Sequence, residues 1–217
     1  MLVKKFALVT LVAACLVNVA QANLISNGGF ESPDASGVGF RYEPPYALDD
    51  WSGTGYYGNA LTGTDGTTAP EGDQYGLVEI FSSISSSLSQ TVTFPTSGNY
   101  ILSYVDADRT GIYGDLNYDI RLTQGGTTNI TTGLNAVSTL TFGERSFTFF
   151  ANAGAGTITF FADGSSGDNR SVYLDAINLV AVSIPAPEPN SLLLCGLGAL
   201  GMSFARRRCR AGVNHRS

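Results

Sequence analysis

GTITFFA, residues 156–162, alternates strictly, so that in an extended chain Ile158, Phe160 and Ala162 share one face while Thr157, Thr159 and Phe161 share the other. A period of two carried by β-branched and aromatic side chains marks a strand with one buried face. Outward from it, SLSQTVTF (87–94), YILSYVDA (100–107), LNYDIRLT (116–123), RSFTFFA (145–151) and SVYLDAINLVAV (171–182) read the same way. Leu88, Val92, Phe94, Phe147 and Phe149 are expected to point inward. Turn residues separate these runs: Pro95-Thr96-Ser97-Gly98-Asn99, Gln124-Gly125-Gly126, Asn152-Ala153-Gly154, and Gly164 to Asn169. Helical periodicity is almost absent between Asn23 and Val182, which predicts an all-β sandwich of about eight antiparallel strands.

From Ser32 to Gly76 the pattern predicts long loops with one or two short strands. Loops of that length in a compact domain are commonly functional. This stretch holds the sole tryptophan, Trp51, with Tyr42, Tyr46, Tyr56 and Tyr57 around it.

Charge and cysteine usage narrow the chemistry. Between Asn23 and Ile184 the bases are Arg41, Arg109, Arg121, Arg145 and Arg170, against seventeen acids, a net charge of −12. Such a domain repels nucleic acid and anionic membranes and remains compatible with divalent cations and neutral sugars. The three cysteines, Cys15, Cys195 and Cys209, and the single histidine, His215, all lie outside it. Disulfides, a cysteine nucleophile, a zinc site built on His or Cys and a histidine triad are thereby excluded from the domain. No redox or nucleotide cofactor is expected.

The two ends differ in kind from this middle. Residues 1–22 carry two lysines, an apolar run from Phe6 to Val17, and Ala20-Gln21-Ala22, a site for signal peptidase with Asn23 as the new N-terminus. Cys15, preceded by Val12-Ala13-Ala14, offers a rival lipoprotein cut. Residues 185–217 open on a stiff Pro-rich linker, continue through an apolar stretch from Ser191 to Ala205 and reach Arg206-Arg207-Arg208. A helix over that stretch spans about 22 Å, short of the roughly 30 Å hydrocarbon core. It suits a transient anchor, with the arginines on the cytoplasmic side.

Pro187-Glu188-Pro189, the short apolar segment and the arginine cluster, in that order, resemble the PEP-CTERM sorting signal of Gram-negative bacteria that make extracellular polysaccharide. The resemblance implies an exosortase-type membrane protease as partner and passage from the inner membrane to the cell surface or matrix. NLISNGGFE (23–31), Trp51, LSQTV (88–92) and YLDAINL (173–179) resemble the galactose-binding-like jelly rolls found in many carbohydrate-binding modules. This second resemblance implies an opening strand at Asn23 to Glu31. It also implies a structural calcium held by Glu31 and Asp175 with backbone carbonyls. The plain alternative is that backbone amides or an arginine cap both acids.

Candidate sugar-binding groups are Trp51, Tyr56, Tyr57, Asn59 and Asp73, with Arg109 and Tyr113 as a second set. Aromatic rings stack on the apolar faces of sugars while amides, carboxylates and guanidinium bind hydroxyls. Trp51 can equally close one end of the core. Asp106 and Asp108 share a strand face at about 7 Å, a separation usable for glycoside hydrolysis; their plain reading is solvation or pairing with Arg109. The sequence thus predicts domains at 1–22, 23–184 and 185–217 and an exported, non-enzymatic protein associated with extracellular polysaccharide. The alternatives are a ligand-free matrix protein and a carboxylate-based glycan hydrolase or lyase.

Overall fold

The computed structural model describes residues 22–43, 48–109, 116–136, 140–164 and 170–182. Its strands are β1 (Phe40–Glu43), β2 (Ser52–Thr54), β3 (Tyr56–Leu61), β4 (Gln74–Ile80), β5 (Ser86–Phe94), β6 (Gly98–Asp108), β7 (Asn117–Thr123), β8 (Thr127–Asn135), β9 (Gly143–Ala151), β10 (Gly154–Ala162) and β11 (Arg170–Ala181). They form a six-stranded sheet ordered β1-β3-β4-β11-β6-β9 and a five-stranded sheet ordered β2-β5-β10-β7-β8. All pairings are antiparallel. The fold is a jelly-roll β-sandwich.

Side-chain alternation sets the inner faces. Ile158, Phe160 and Ala162 of β10 are fully buried and meet Leu88, Val92 and Phe94 of β5 and Ile120 and Leu122 of β7 in one core. Val78, Ile80, Leu102, Val172, Leu174 and Leu179 supply the facing layer. Each such side chain contributes about 1.5–3 kcal/mol by leaving water. Phe147 and Phe149 point inward from β9 but stay half-buried, because β9 is a sheet edge.

Three features depart from the sequence pattern. The stretch 32–76 is mostly irregular, as expected, but holds three short strands, β1, β2 and β3, the start of β4 and one short 3-10 turn at Thr64–Gly66, where one or two strands were expected. Their brevity and glycine content hide them from periodicity. Residues 23–31 form no strand; they run irregularly beside β11, tied by Leu24 N–H to the Leu179 carbonyl (2.9 Å) and by Ile177 N–H to the Gly28 carbonyl (3.0 Å). Within β11 the pairing with β6 slips between Asp175 and Asn178. Ala176 takes a φ of 51° there. The bulge switches the inward parity from Val172 and Leu174 to Ile177 and Leu179.

A second apolar cluster, Ala60, Ala69, Tyr75, Leu77, Ala107 and Tyr173, covers the other side of the six-stranded sheet, with Phe40, Leu140 and Phe142 against it. The middle of that sheet is therefore clothed on both faces, while the outer side of β9 stays exposed. The unit containing the sandwich closes at Val182. The expected signal peptide, save Ala22, and the tail with Pro187, Glu188, Pro189, Arg206, Arg207 and Arg208 lie outside the described residues. Among the described residues no helix is long and apolar enough to cross a membrane.

Candidate functional site

Polar and aromatic groups converge on the outer face of the six-stranded sheet, where β6 runs out. Arg109 follows Asp108, and its N–H donates to the Ser171 carbonyl at 3.2 Å, which keeps the chain extended alongside β11. Its guanidinium lies 3.0 Å from Asp65 Oδ2 and 3.6 Å from Glu79 Oε1, with Cζ 5.6 Å from the centre of the Phe40 ring. Asp65 is presented by the 3-10 turn, at a φ of 52°. The same Asp65 oxygen accepts a hydrogen bond from the Tyr173 hydroxyl at 2.9 Å. Tyr75, 4.7 Å from Tyr173 ring to ring, donates its hydroxyl to the Thr64 carbonyl at 3.1 Å. Burial, then the nearby Asp65 charge, pushes the Tyr75 phenol up to about 12; burial raises Tyr173 as well, followed by the influence of Tyr75. Both phenols therefore remain protonated donors at neutral pH.

Tyr56 of β3 stands opposite Glu79 in the β3–β4 register, and its ring is 5.2 Å from that of Phe81, which is 39% exposed. A half-exposed guanidinium, two carboxylates and a surface aromatic pair thus share one sheet face. Rings of this kind take the C–H faces of pyranoses, and charged groups bind sugar hydroxyls more strongly than neutral ones do. Asp65, Glu79, Phe81 and Tyr173 were not among the groups singled out from the sequence. One signal was present, since Glu79 is the one charged residue of β4, on the same face as Tyr75 and Leu77.

The other candidates are placed elsewhere. Trp51 is buried, stacked on Phe30 at 5.3 Å and 6.4 Å from Phe160, with its indole N–H donated to the Asn27 carbonyl at 3.0 Å. It is a core residue, with no ring face left for a sugar. Asn59, fully buried, donates to the carbonyls of Phe30 (3.2 Å) and Pro33 (2.8 Å) and organises the N-terminal segment. Tyr57 packs inward on the main core. Asp73 is exposed in the turn before β4, where its N–H donates to Glu31 Oε1 at 2.9 Å. Tyr113 lies outside the described residues. Of the named set, Tyr56 and Arg109 share the outer face.

Asp106 is not solvated and does not pair with Arg109. It is fully buried between the sheets, its Oδ1 2.9 Å from Arg145 Nε and its Oδ2 accepting from the Tyr118 hydroxyl at 2.8 Å. Tyr118 and Tyr104 share a further hydrogen bond of 2.7 Å. Burial raises both phenols. Asp108 is buried on the same strand face. Asp106 thereby links the two sheets, and both acids are enclosed.

Glu31 and Asp175 meet around the turn before β4. Glu31 Oε1 accepts the N–H groups of Asp73 and Gln74, each at 2.9 Å. Asp175 Oδ2 accepts the Glu71 N–H at 2.9 Å, and Oδ1 accepts the Ala176 N–H at 2.7 Å. Backbone amides cap both acids, as the plain reading holds. Asp175 is nevertheless driven up to about 7, first by desolvation and further by the negative charges of Glu71 and Glu31, against the pull of its two amide bonds. An oxygen-only donor set with surplus negative charge matches the chemistry of a hard cation. Among the described residues no three acidic, histidine or cysteine side chains converge closely enough to hold a metal. Backbone carbonyls would have to complete any such site.

Residues 185–208 match the PEP-CTERM protein-sorting motif. No curated protein matches the chain. Among solved structures, the carbohydrate-binding module TmCBM61, in complex with β-1,4-galactotriose, superimposes with a TM-score of 0.53 at 18% identity, covering 74% of this chain and 99% of that one. The CBM22-1 xylan-binding domain of Paenibacillus barcinonensis Xyn10C gives 0.51 at 12% identity over 76% and 97%. The arabinose-bound α-L-arabinofuranosidase MgGH51 gives 0.51 at 13% identity, over 76% of this chain and 27% of that one. These likenesses are likenesses of fold. The motif marks an exported protein sorted by way of the membrane.

Proposed function

From a PEP-CTERM sorting motif joined to a sandwich shaped like carbohydrate-binding modules, we infer an exported protein that binds extracellular polysaccharide without cleaving it. The observation that carries this reading is the cluster of Arg109, Asp65 and Glu79 beside the Tyr56 and Phe81 rings. It joins the two kinds of group sugar recognition needs, apolar platforms and charge-assisted hydrogen bonds, on the face of a rigid sheet. A neutral glycan fits the net charge of −12 better than a polyanion does. The non-catalytic part is supported by the enclosure of Asp106 and by the occupation of Asp65 and Glu79 with Arg109, which ties up the carboxylates a hydrolase would need free.

Two further elements belong to the proposal. An exosortase-type protease processes the chain near Pro187-Glu188-Pro189 and delivers it to the cell surface or matrix. A calcium ion bound by Glu31 and Asp175 neutralises their mutual repulsion and pins the N-terminal segment to β11. Affinity electrophoresis of the exported protein in gels containing β-1,4-galactan, xylan or the host's own exopolysaccharide tests the binding. Retention is expected in at least one gel, and Arg109→Ala is expected to weaken it about tenfold, the effect of losing one charged hydrogen bond. Free migration in every gel sinks the reading, and reducing ends released from any of the three sink its non-catalytic half.

A further inference from the structure

The enclosed acids Asp106 and Asp175 have hydrogen-bond donors of their own. Asp106 accepts from Arg145 Nε and the Tyr118 hydroxyl, and Asp175 from two backbone N–H groups. Asp65, at the sheet surface, accepts from the Tyr173 hydroxyl. Glu79 differs. Its side chain is 9% exposed, yet among the described residues it accepts no hydrogen bond. Its polar contact is with Arg109 Nη1 at 3.6 Å, which offsets charge but lies beyond hydrogen-bond range. A carboxylate offers about four acceptor positions, and leaving them empty in an enclosed place is costly, so donors from a ligand would complete the site.

The surroundings of Glu79 say which donors fit. Tyr56 and Ser171 are its register partners on either side, and the Arg109 N–H bonds the Ser171 carbonyl. Tyr56, Glu79, Ser171 and Arg109 therefore form one row across the sheet, about 14 Å long at roughly 4.8 Å per strand. An aromatic pair stands at one end of the row, and a guanidinium held at Nε by Asp65 stands at the other. On the premise that this cluster binds glycan, we propose that Glu79 takes hydrogen bonds from sugar hydroxyls and makes the site reject acidic sugars. A guanidinium by itself favours a carboxylate, which it grips through paired charge-assisted bonds. With Glu79 only 3.6 Å from that guanidinium, an incoming carboxylate meets like charge and brings no donor. A hydroxyl donates to Glu79 while its lone pairs turn to the guanidinium. The selection thus lies in a built-in repulsion as much as in an attraction, and the ligand class it leaves is a neutral glycan with free hydroxyls at the contact.

Affinity electrophoresis of the exported protein at about 0.15 M salt, where exposed charges more than about 8 Å apart are screened, tests this selection. The gels carry β-1,4-galactan, xylan or the host's exopolysaccharide, each native and carboxymethylated. The wild-type chain is expected to bind the native form of its polysaccharide at least about tenfold more tightly than the carboxymethylated form. Glu79→Gln, whose amide can donate to a carboxylate, is expected to bind the native form about fivefold more weakly and to narrow that ratio to below about threefold. Glu144→Gln, the same change at an exposed position of β9, is expected to leave the ratio at its wild-type value. Glu79→Asp keeps the charge and is expected to keep the rejection, which separates charge from any loss of structure. Should Glu79→Gln fail to melt cooperatively, the wild-type ratio and Glu79→Asp carry the test. A wild type that binds both forms equally, a ratio unmoved in folded Glu79→Gln or lost in Glu79→Asp, or one moved as far by Glu144→Gln would each overturn the proposal and leave glycan binding standing. Free migration of the wild type in every native gel overturns both.

Discussion

Trp51 and Asp175 show how far a side chain's role depends on what folds around it. Trp51 sits in a tyrosine-rich stretch that reads as a binding loop, yet it fills the space between Phe30 and Phe160. Trp51→Ala is expected to cost about 3–5 kcal/mol, read as a drop in the urea midpoint. Asp175 is held without solvent contact, with its carboxyl up at about 7 instead of 3.8. Below the ordinary carboxylate pKa, folded and unfolded chains both hold this proton and no stability is lost. Between 3.8 and about 7 only the folded chain keeps it, so stability falls as pH rises, by at most about 4 kcal/mol, and the loss is complete above 7. With chelator present, the melting temperature is therefore expected to be higher at pH 5 than at pH 8. Saturating calcium is expected to raise it at pH 8 and flatten the slope. A melting curve indifferent to chelator at pH 8 would remove the ion from the proposal.

Among the elements, β4 and β6 are specified by contacts their own sequences do not mention. Gly76 lies in the middle of β4, where glycine normally weakens a strand, because the Phe30 ring occupies the space of a side chain: a Cβ there would lie 2.5 Å from Phe30 Cζ. Gly76→Ala is expected to destabilise by about 1–3 kcal/mol through overpacking, measurable by thermal denaturation. β6 sends Asp106 into the interior, where Arg145 of β9 and Tyr118 of β7 hold it and tie the two sheets together. Arg145→Ala leaves that carboxylate buried and unpaired, an expected loss of about 3–5 kcal/mol, and adding Asp106→Leu is expected to recover a large part of it. Equal instability of the single and double variants in urea would mean that Arg145 acts through its packing alone.

At the scale of the whole molecule, the sorting motif and the sandwich make separate demands. Replacing Pro187-Glu188-Pro189 by alanines is expected to leave the chain at full length and cell-associated, read from the intact mass of the protein in cell and medium fractions. A wild-type chain found membrane-bound with its tail intact would contradict processing. The motif is a linear signal and was legible directly in residues 185–210. The sheet architecture was legible where alternation was strict, as in β5, β6, β7, β9 and β10, and in β11 from its β-branched and apolar run. It was not legible in β1 to β3, where strands of three to six residues are too short to show a period. The cluster proposed to bind carbohydrate was half legible: Arg109 and Tyr56 stand out by type, whereas Asp65, Glu79 and Tyr173 come from three distant segments that only pairing brings together.

Alternation, turn chemistry and the order of residues in the tail determined the fold class and the sorting motif, because each is a local property of the chain. The tertiary structure alone decided which aromatic residues are core and which are surface, since that depends on strand register. It also decided the bulge at Ala176, which reverses the parity of β11 and leaves Asp175 on the side of the turn at Glu71. A single extra residue in one strand turns every following side chain over, and no pattern within that strand announces it.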